Sequence, residues 1–362
     1  MNKIMICIPT LANAGAERFA TELACNINRK KFEPIVLVTN KLDITSSFYK
    51  KLICEKVKVY YFDDCSYRKK IWKIRNVIIK EKPCIIHTNV GAALHMLIPI
   101  AISFTKTKHL FTAHSMGYRI FGGFKKTLMK FCFHTKLVIP VAICDTVKQS
   151  LVDVYDLKSE NVECVYNGVD TNIFYPNERD GDYTQMVFVS TGTLYHIKNH
   201  ELLINAFSIL HREYPDTLLR IVGDGELREQ LNKQVEELGL TDSVIFEGNQ
   251  SDVAHYLQLS DVYCCTSKVE GLPISVLEAM ACGLPIISTP AGGVVDIVKD
   301  GENGFIVNSN DRIIATKMIE LAKNKSMSKK MGMKSRELVM KYDIVKCAKG
   351  YQELYKKYSE KG

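Results

Sequence analysis

The stretch Glu270-Gly-Leu-Pro-Ile-Ser-Val-Leu-Glu278 decides how this chain is read. Two carboxylates stand eight positions apart. Glu270 comes just before Gly271 and Pro273, which places it on a loop. Glu278 falls inside the apolar-periodic run Ile274, Val276, Leu277, Ala279 and Met280, which reads as a helix opened by Pro273. The first N–H groups of a helix lack backbone partners and attract anions, phosphate above all. Backbone N–H groups near Leu272, Pro273 and Ile274 can therefore cradle a diphosphate, with a carboxylate on either side to accept hydrogen bonds from hydroxyls. Those are the needs of a nucleotide-sugar. A solvated glutamate followed by an ordinary helix glutamate fits the same spacing, so the surrounding residues must decide.

The run continues Ala279-Met-Ala-Cys-Gly-Leu-Pro-Ile-Ile-Ser-Thr-Pro-Ala-Gly-Gly293. Together with the glutamate pair it resembles the retaining glycosyltransferases of family 4, whose E-x7-E motif matches Glu270 and Glu278. The resemblance spans nearly the whole chain and is strongest between Gly192 and Val307. It implies an α/β fold of two doubly wound Rossmann-like domains facing a central cleft, the GT-B fold. It also implies the work of bacterial surface-polysaccharide glycosyltransferases.

The order of elements leads to the same fold class. Apolar strand-like runs occur at Ile4–Ile8, Ile35–Val38, Val57–Tyr61, Ile85–His87, His109–Thr112, Leu137–Ala142 and Val162–Val165, with helical patterns between most of them. That alternation predicts a parallel sheet covered on both faces. It pauses at Asn167-Gly-Val-Asp-Thr-Asn-Ile-Phe-Tyr-Pro176 and the polar segment that follows. A second alternation then runs from Met186–Ser190 to Phe305–Val307. The expected domains are 1–170, on the acceptor side, and 171–342, which binds the nucleotide-sugar. A helix over about 343–362 should pack back onto the first domain, as the resemblance implies.

Composition narrows the function classes. A hydrophobic share of 46% and a charged share of 24% suit a soluble globular protein. The N-terminal apolar run is too short for a secretory signal, and the run Ala92–Phe104 is too short to span a bilayer. The 12 cysteines form no C-x-x-C pair and fall partly in strand-like runs, as reduced cytosolic thiols do. Residues 1–170 carry a formal charge of +12 and the remainder −4. The basic half lacks a nucleic-acid recognition motif and suits an anionic membrane surface or acceptor.

Four further motifs bear on chemistry. Gly15, within Asn13-Ala-Gly-Ala-Glu-Arg18, would let the backbone approach a phosphate. The family usually shows two glycines here, and Ala14 stands in the first place. A plain turn explains a lone glycine equally well. Gly192-Thr-Leu-Tyr-His-Ile-Lys198 follows the first strand of the second domain. The resemblance implies that Gly192 and Lys198 face the donor and that Lys198 neutralises its leaving diphosphate. Thr193 departs from the usual basic residue. Val222-Gly-Asp-Gly-Glu fails the dinucleotide fingerprint because Arg228 stands where the third glycine belongs. His114, in Thr112-Ala-His-Ser-Met-Gly117, follows a strand at a position where related enzymes set a histidine against the donor sugar.

The expected activity is metal-independent, retaining transfer of a hexose-type sugar from a nucleotide-diphospho-sugar, UDP preferred, to a hydroxyl of a glycan or lipid-linked acceptor. No cofactor is expected, and no D-x-D pair suggests a metal site. The catalytic candidates are Glu270, His114 and Lys198. The donor candidates are Gly15, Gly192, Lys198, Gly271, Leu272, Pro273, Ile274 and Glu278. A nucleotide-sugar epimerase, a phosphorylase and a non-catalytic binding protein remain as alternatives. The expected place is the cytoplasm, with peripheral contact at the membrane face. There, residues 121–134 should turn Phe121, Phe124, Leu128 and Phe131 inward and Lys126, Lys130 and His134 outward. In residues 68–82, Lys69, Lys73 and Lys80 should form a second basic face beside Trp72.

Overall fold

The computed structural model describes residues 1–12, 15–62, 66–90, 98–103, 105–177 and 185–360. Asn13 and Ala14, residues 92–97 of the long apolar run and its last residue Phe104, and the polar segment after Asn177 fall outside them. The described chain forms two compact units. One comprises Met1–Gly168 and the C-terminal helix Ile344–Ser359, and the other Val169–Asp343.

The first unit is built on strands β1 (Asn2–Ile8), β2 (Phe32–Val38), β3 (Lys58–Tyr61), β4 (Ile85–Thr88), β5 (Lys108–Ala113), β6 (Ile139–Ala142) and β7 (Glu163–Cys164). They pair in the order β3-β2-β1-β4-β5-β6-β7, all parallel. Uninterrupted apolar strands such as Ile4–Ile8 have both faces buried, which a parallel sheet under helices demands. Alternation sends Met5 and Cys7 to one face, where they join Ile86 and the helix residues Ile74, Val77 and Ile78. The other face carries His87, against which the C-terminal helix lays Tyr351 and Tyr355.

That helix explains one glycine. A Cβ on Gly168 would sit 2.7 Å from Cα of Ile344 and 2.8 Å from Cβ of Cys347. Only a bare α-carbon lets the chain leave the first unit where the C-terminal helix re-enters it.

The second unit uses β8 (Met186–Thr191), β9 (Thr217–Val222), β10 (Val244–Gly248), β11 (Val262–Cys265), β12 (Ile286–Ser288) and β13 (Gly304–Ile306). Their order is β10-β9-β8-β11-β12-β13, again all parallel. One core cluster joins Phe188, Ile221 and Cys264 to helix residues Leu203, Phe207, Ile314 and Met318. Each unit is thus a doubly wound sheet that reverses direction once, at β1/β4 in the first and β8/β11 in the second. Such reversals open a crevice at the carboxyl ends of the two central strands.

One expectation about packing is overturned. Helix Gly123–His134 buries Met129, Cys132 and Phe133, with Phe133 stacked 6.1 Å from Phe111 of β5. Phe121 is buried before the helix starts, but Phe124 and Phe131 are 78% and 59% exposed. Leu128 is half-buried. The helix offers two apolar stripes of similar strength, and the sheet takes the one carrying Met129 and Phe133. On helix Tyr67–Glu81, Trp72, Lys69, Lys73 and Lys80 all face solvent, as expected. No helix among the described residues is long and apolar enough to cross a membrane.

Candidate active site

The loops after β8 and β11 flank the reversal of the second sheet, and they carry Lys198 and Glu270. The Lys198 ammonium lies 2.7 Å from Oε1 of Glu270, and both side chains are mostly buried. Burial drives the lysine toward losing its proton. The adjacent carboxylate more than offsets this, so the Lys198 pKa lies above its usual value. The two loops are tied along their backbones. Lys268 donates its N–H to the Ile197 carbonyl at 2.8 Å, and the Thr266 hydroxyl donates to the carbonyls of Lys198 and Asn199. The cation and the carboxylate therefore sit on one braced platform.

Gly192 begins the first of these loops at a φ of +148°, a backbone conformation that favours glycine, and the Lys198 stem packs beside it. The Val222-Gly-Asp-Gly-Glu run is explained by the same loop. A Cβ on Gly223 would meet the Gly192 carbonyl oxygen at 2.0 Å, at a φ of +140°. These glycines serve loop-on-loop contact, which accounts for the missing third glycine of a dinucleotide site. His200 follows at the first turn of helix His200–Glu213. Burial, then the charge of Lys198, lowers its pKa to about 4, so it adds no second charge beside the lysine.

The stretch Glu270–Glu278 takes a form close to the expected one. Glu270 is on a loop, and the helix spans Ile274–Ala281. Pro273 stands at the cap with extended backbone (ψ 119°), one position earlier than expected. Its carbonyl accepts from the N–H of Val276 at 3.2 Å, which aligns the first turn. Gly271 is held by the N–H of Gly293 on its carbonyl at 2.7 Å. Leu272 is buried and pins the loop below the helix start. Glu278 is buried within the helix. Lys198, Glu270, Gly192 and the start of helix Ile274–Ala281 thus belong to one site in the second unit.

Gly15 and His114 belong to the first unit, at the carboxyl ends of β1 and β5. Gly15 is the first residue of helix Gly15–Asn26 rather than a loop residue, so its N–H is among those a helix leaves unpaired. Phe19 of this helix meets His114 edge to face, with ring centroids 4.9 Å apart. Burial lowers the His114 pKa to about 3, which keeps the ring neutral. Its Nε2 lies 3.2 Å from Oδ1 of Asn89, the residue that follows β4.

Asn89 and Glu17 are the residues the sequence reading missed. Asn89 is buried, and its Nδ2 has no hydrogen-bond partner. Its place just after a strand at the β1/β4 reversal was the available signal. Glu17 lies in the first helical turn beside Gly15 and accepts a hydrogen bond from the Thr10 hydroxyl at 3.0 Å. Burial raises its pKa. No group of three or more His, Cys, Asp or Glu among the described residues could hold a metal ion.

The comparisons bear on the family and the fold. The family described as Glycosyltransferase Family 4 matches residues 13–173, and that described as Glycosyl transferases group 1 matches residues 173–338. A Haemophilus influenzae protein described as an uncharacterized glycosyltransferase is 27% identical over 354 residues, covering 96% of this chain and 98% of that one. The Escherichia coli UDP-Gal:alpha-D-GlcNAc-diphosphoundecaprenol alpha-1,3-galactosyltransferase is 27% identical over 286 residues, covering 75% of this chain and 69% of that one. The Anabaena HepE structure, solved with UDP and glucose, superposes with a TM-score of 0.85 at 20% identity, over 99% of this chain and 100% of that one. With both family matches in sequence order and a doubly wound sheet under each, the chain belongs to glycosyltransferase family 4 and has the GT-B fold.

Proposed function

We propose that this glycosyltransferase moves a hexose from a UDP-hexose to a hydroxyl of a glycan or lipid-linked acceptor, with retention at the anomeric carbon, in surface polysaccharide synthesis. The observation that carries the reading is the Lys198–Glu270 pair at the β8/β11 reversal, beside the start of helix Ile274–Ala281. Lys198 and the first N–H groups of that helix bind the diphosphate and stabilise the charge that develops on it. Glu270 accepts hydrogen bonds from sugar hydroxyls, and Glu278 from the ribose. In the first unit, Gly15 and neutral His114 stand at the carboxyl ends of β1 and β5. The bond between the anomeric carbon and the phosphate oxygen breaks while the acceptor oxygen attacks from the same face. The acceptor's proton passes to the departing phosphate oxygen. No metal is needed where Lys198 and the helix start supply the positive charge. The names of the Escherichia coli relative and of the Anabaena structure support UDP as the nucleotide. The former also supports a lipid-linked acceptor.

The same reading places the first unit against an anionic membrane. Phe124, Phe131 and Leu137 project into solvent, and Lys125 and Lys136 are exposed beside them. Trp72 stands exposed among Lys69 and Lys73 on helix Tyr67–Glu81. Both helices cover the sheet face that carries Cys7 and Phe111, because Thr88 pairs with each of those residues. Apolar side chains among lysines suit an anionic headgroup region.

Thermal stabilisation against a panel of nucleotides and nucleotide-sugars tests the donor. A ligand at a hundred times its dissociation constant adds about 2.7 kcal/mol. UDP and one UDP-hexose should raise Tm while the adenine and cytosine counterparts do not. A response to GDP alone would replace UDP, and silence across the panel would remove the donor reading.

A further inference from the structure

We infer that Glu270 is the internal counter-ion of Lys198, and that its exchange between lysine and sugar hydroxyls lets the site prefer a sugar-bearing donor over bare nucleoside diphosphate. The inference rests on the reading of Lys198 as the diphosphate-binding cation. The cation of this site is already engaged, 2.7 Å from a carboxylate on the neighbouring loop. Neither loop can easily withdraw, because the backbone bond from Lys268 to Ile197 and the Thr266 hydroxyl brace them together. The mostly buried setting also makes an unmatched charge more costly than on the surface.

Two ligands therefore meet different sites. A bare diphosphate must draw Lys198 away from Glu270 and leave a mostly buried carboxylate facing an added anion. A donor carrying its sugar draws on the same lysine but brings hydroxyls that donate to the released carboxylate. Only the second exchange leaves every charged group with a partner. The reverse holds after transfer. Once the sugar has gone, Glu270 loses its hydroxyls and turns back to Lys198, which weakens the hold on the nucleoside diphosphate product.

The test is a double-mutant cycle on UDP affinity, measured by calorimetry with wild type, Glu270→Gln, Lys198→Met and the double variant. Glu270→Gln should tighten UDP by about tenfold, the scale of one charge-assisted hydrogen bond. It should also reduce the preference for UDP-hexose over UDP. Lys198→Met should weaken UDP, and in that background Glu270→Gln should tighten it far less. Equal tightening in both backgrounds would mean simple repulsion between Glu270 and the phosphates and would overturn the inference. So would unchanged UDP affinity in Glu270→Gln. If Lys198→Met leaves UDP affinity unchanged, the diphosphate reading fails first. Should Glu270→Gln not fold, Glu270→Asp keeps the charge but shortens its reach by one methylene, and the same pattern is expected of it.

Discussion

The Tyr355 hydroxyl lies 2.8 Å from Nδ1 of His87, a residue 268 positions earlier in the chain. His87 is fully buried, and its Nε2 meets the Thr112 hydroxyl at 2.6 Å. Thr112 in turn lies 3.0 Å from the Tyr351 hydroxyl. A closed polar chain thus fastens the C-terminal helix to β4 and β5. Tyr355→Phe leaves one buried ring nitrogen without its partner, at a cost of about 1–3 kcal/mol. Gly168→Ala forces the helix away from the sheet and should cost a similar amount, about 1–3 kcal/mol. Urea titration should show a lower midpoint for both variants; a midpoint equal to wild type would mean that the helix is not clamped there.

Acid should destabilise the first unit. Burial lowers the pKa values of His87, His109 and His114 to about 3. The unfolded chain binds more protons than the folded one between that value and the ordinary one of about 6.5, so stability falls as pH falls through this window. The loss is on the order of 1 kcal/mol per histidine at pH 5.5. Glu81 adds a second, lower step. Despite a desolvation cost, hydrogen bonds from Lys3, Lys58 and Tyr60 lower its pKa to about 2. Its contribution is present above the ordinary carboxylate range and disappears as pH falls toward that value. Thermal melts from pH 7.5 to 4.5 should show a steady drop in Tm, and a flat profile would contradict the buried neutral histidines.

Glu270→Ala and Glu278→Ala should both lose transfer, by different routes. Each removes a hydrogen bond to a charged group, or about ten- to a hundredfold in rate or affinity. The loss at Glu270 should fall mainly on kcat and that at Glu278 mainly on donor KM. Wild-type kinetics in both folded variants would end the assignment.

Much of this was legible in the residues alone. The apolar runs Ile4–Ile8, Ile35–Val38 and Leu137–Ala142 end where β1, β2 and β6 end, and no strand departs from its run by more than three residues at either end. Long apolar runs between helical patterns have few other ways to be buried. Lys198 and Glu270 could each be named as candidates from motif order. Their mutual contact could not, because a separation of 72 residues carries no distance information until the β8–β11 pairing is known. The orientation of helix Gly123–His134 was misread for a different reason. Phe124, Leu128 and Phe131 make as good a stripe as Met129, Cys132 and Phe133, and only the sheet beneath chooses between them. Asn89 offered only its place just after a strand, because its unfilled hydrogen bond is a property of the fold.

Transfer should proceed without added metal. Assays in excess EDTA should keep the wild-type rate, since Lys198 and the helix start already oppose the diphosphate charge. Complete loss, restored by magnesium or manganese, would sink this expectation.

The first unit should bind anionic vesicles at low salt. Phe124→Ser with Phe131→Ser removes the exposed apolar stripe, and Lys125→Glu with Lys136→Glu reverses its charge. Lys130 is a poorer target than expected, because its ammonium already lies 3.5 Å from Asp156. Each lysine near an anionic surface is worth about 1 kcal/mol. Either pair of substitutions should sharply reduce co-sedimentation with phosphatidylglycerol vesicles and leave UDP binding intact. Wild-type protein that ignores such vesicles would refute the docking.

The return of helix Ile344–Ser359 to the first sheet also sets an order of assembly during synthesis. Translation delivers β1 to β7 early, but the residues that cover His87 and Thr112 emerge only after the whole of Val169–Asp343 has been made. The second unit is continuous in sequence and can fold as it leaves the ribosome. The first must wait with part of one face of its sheet unroofed, at a time when neighbouring nascent chains and chaperones can reach it. A stalled or truncated product would therefore be a folded second unit tethered to an unfinished first one.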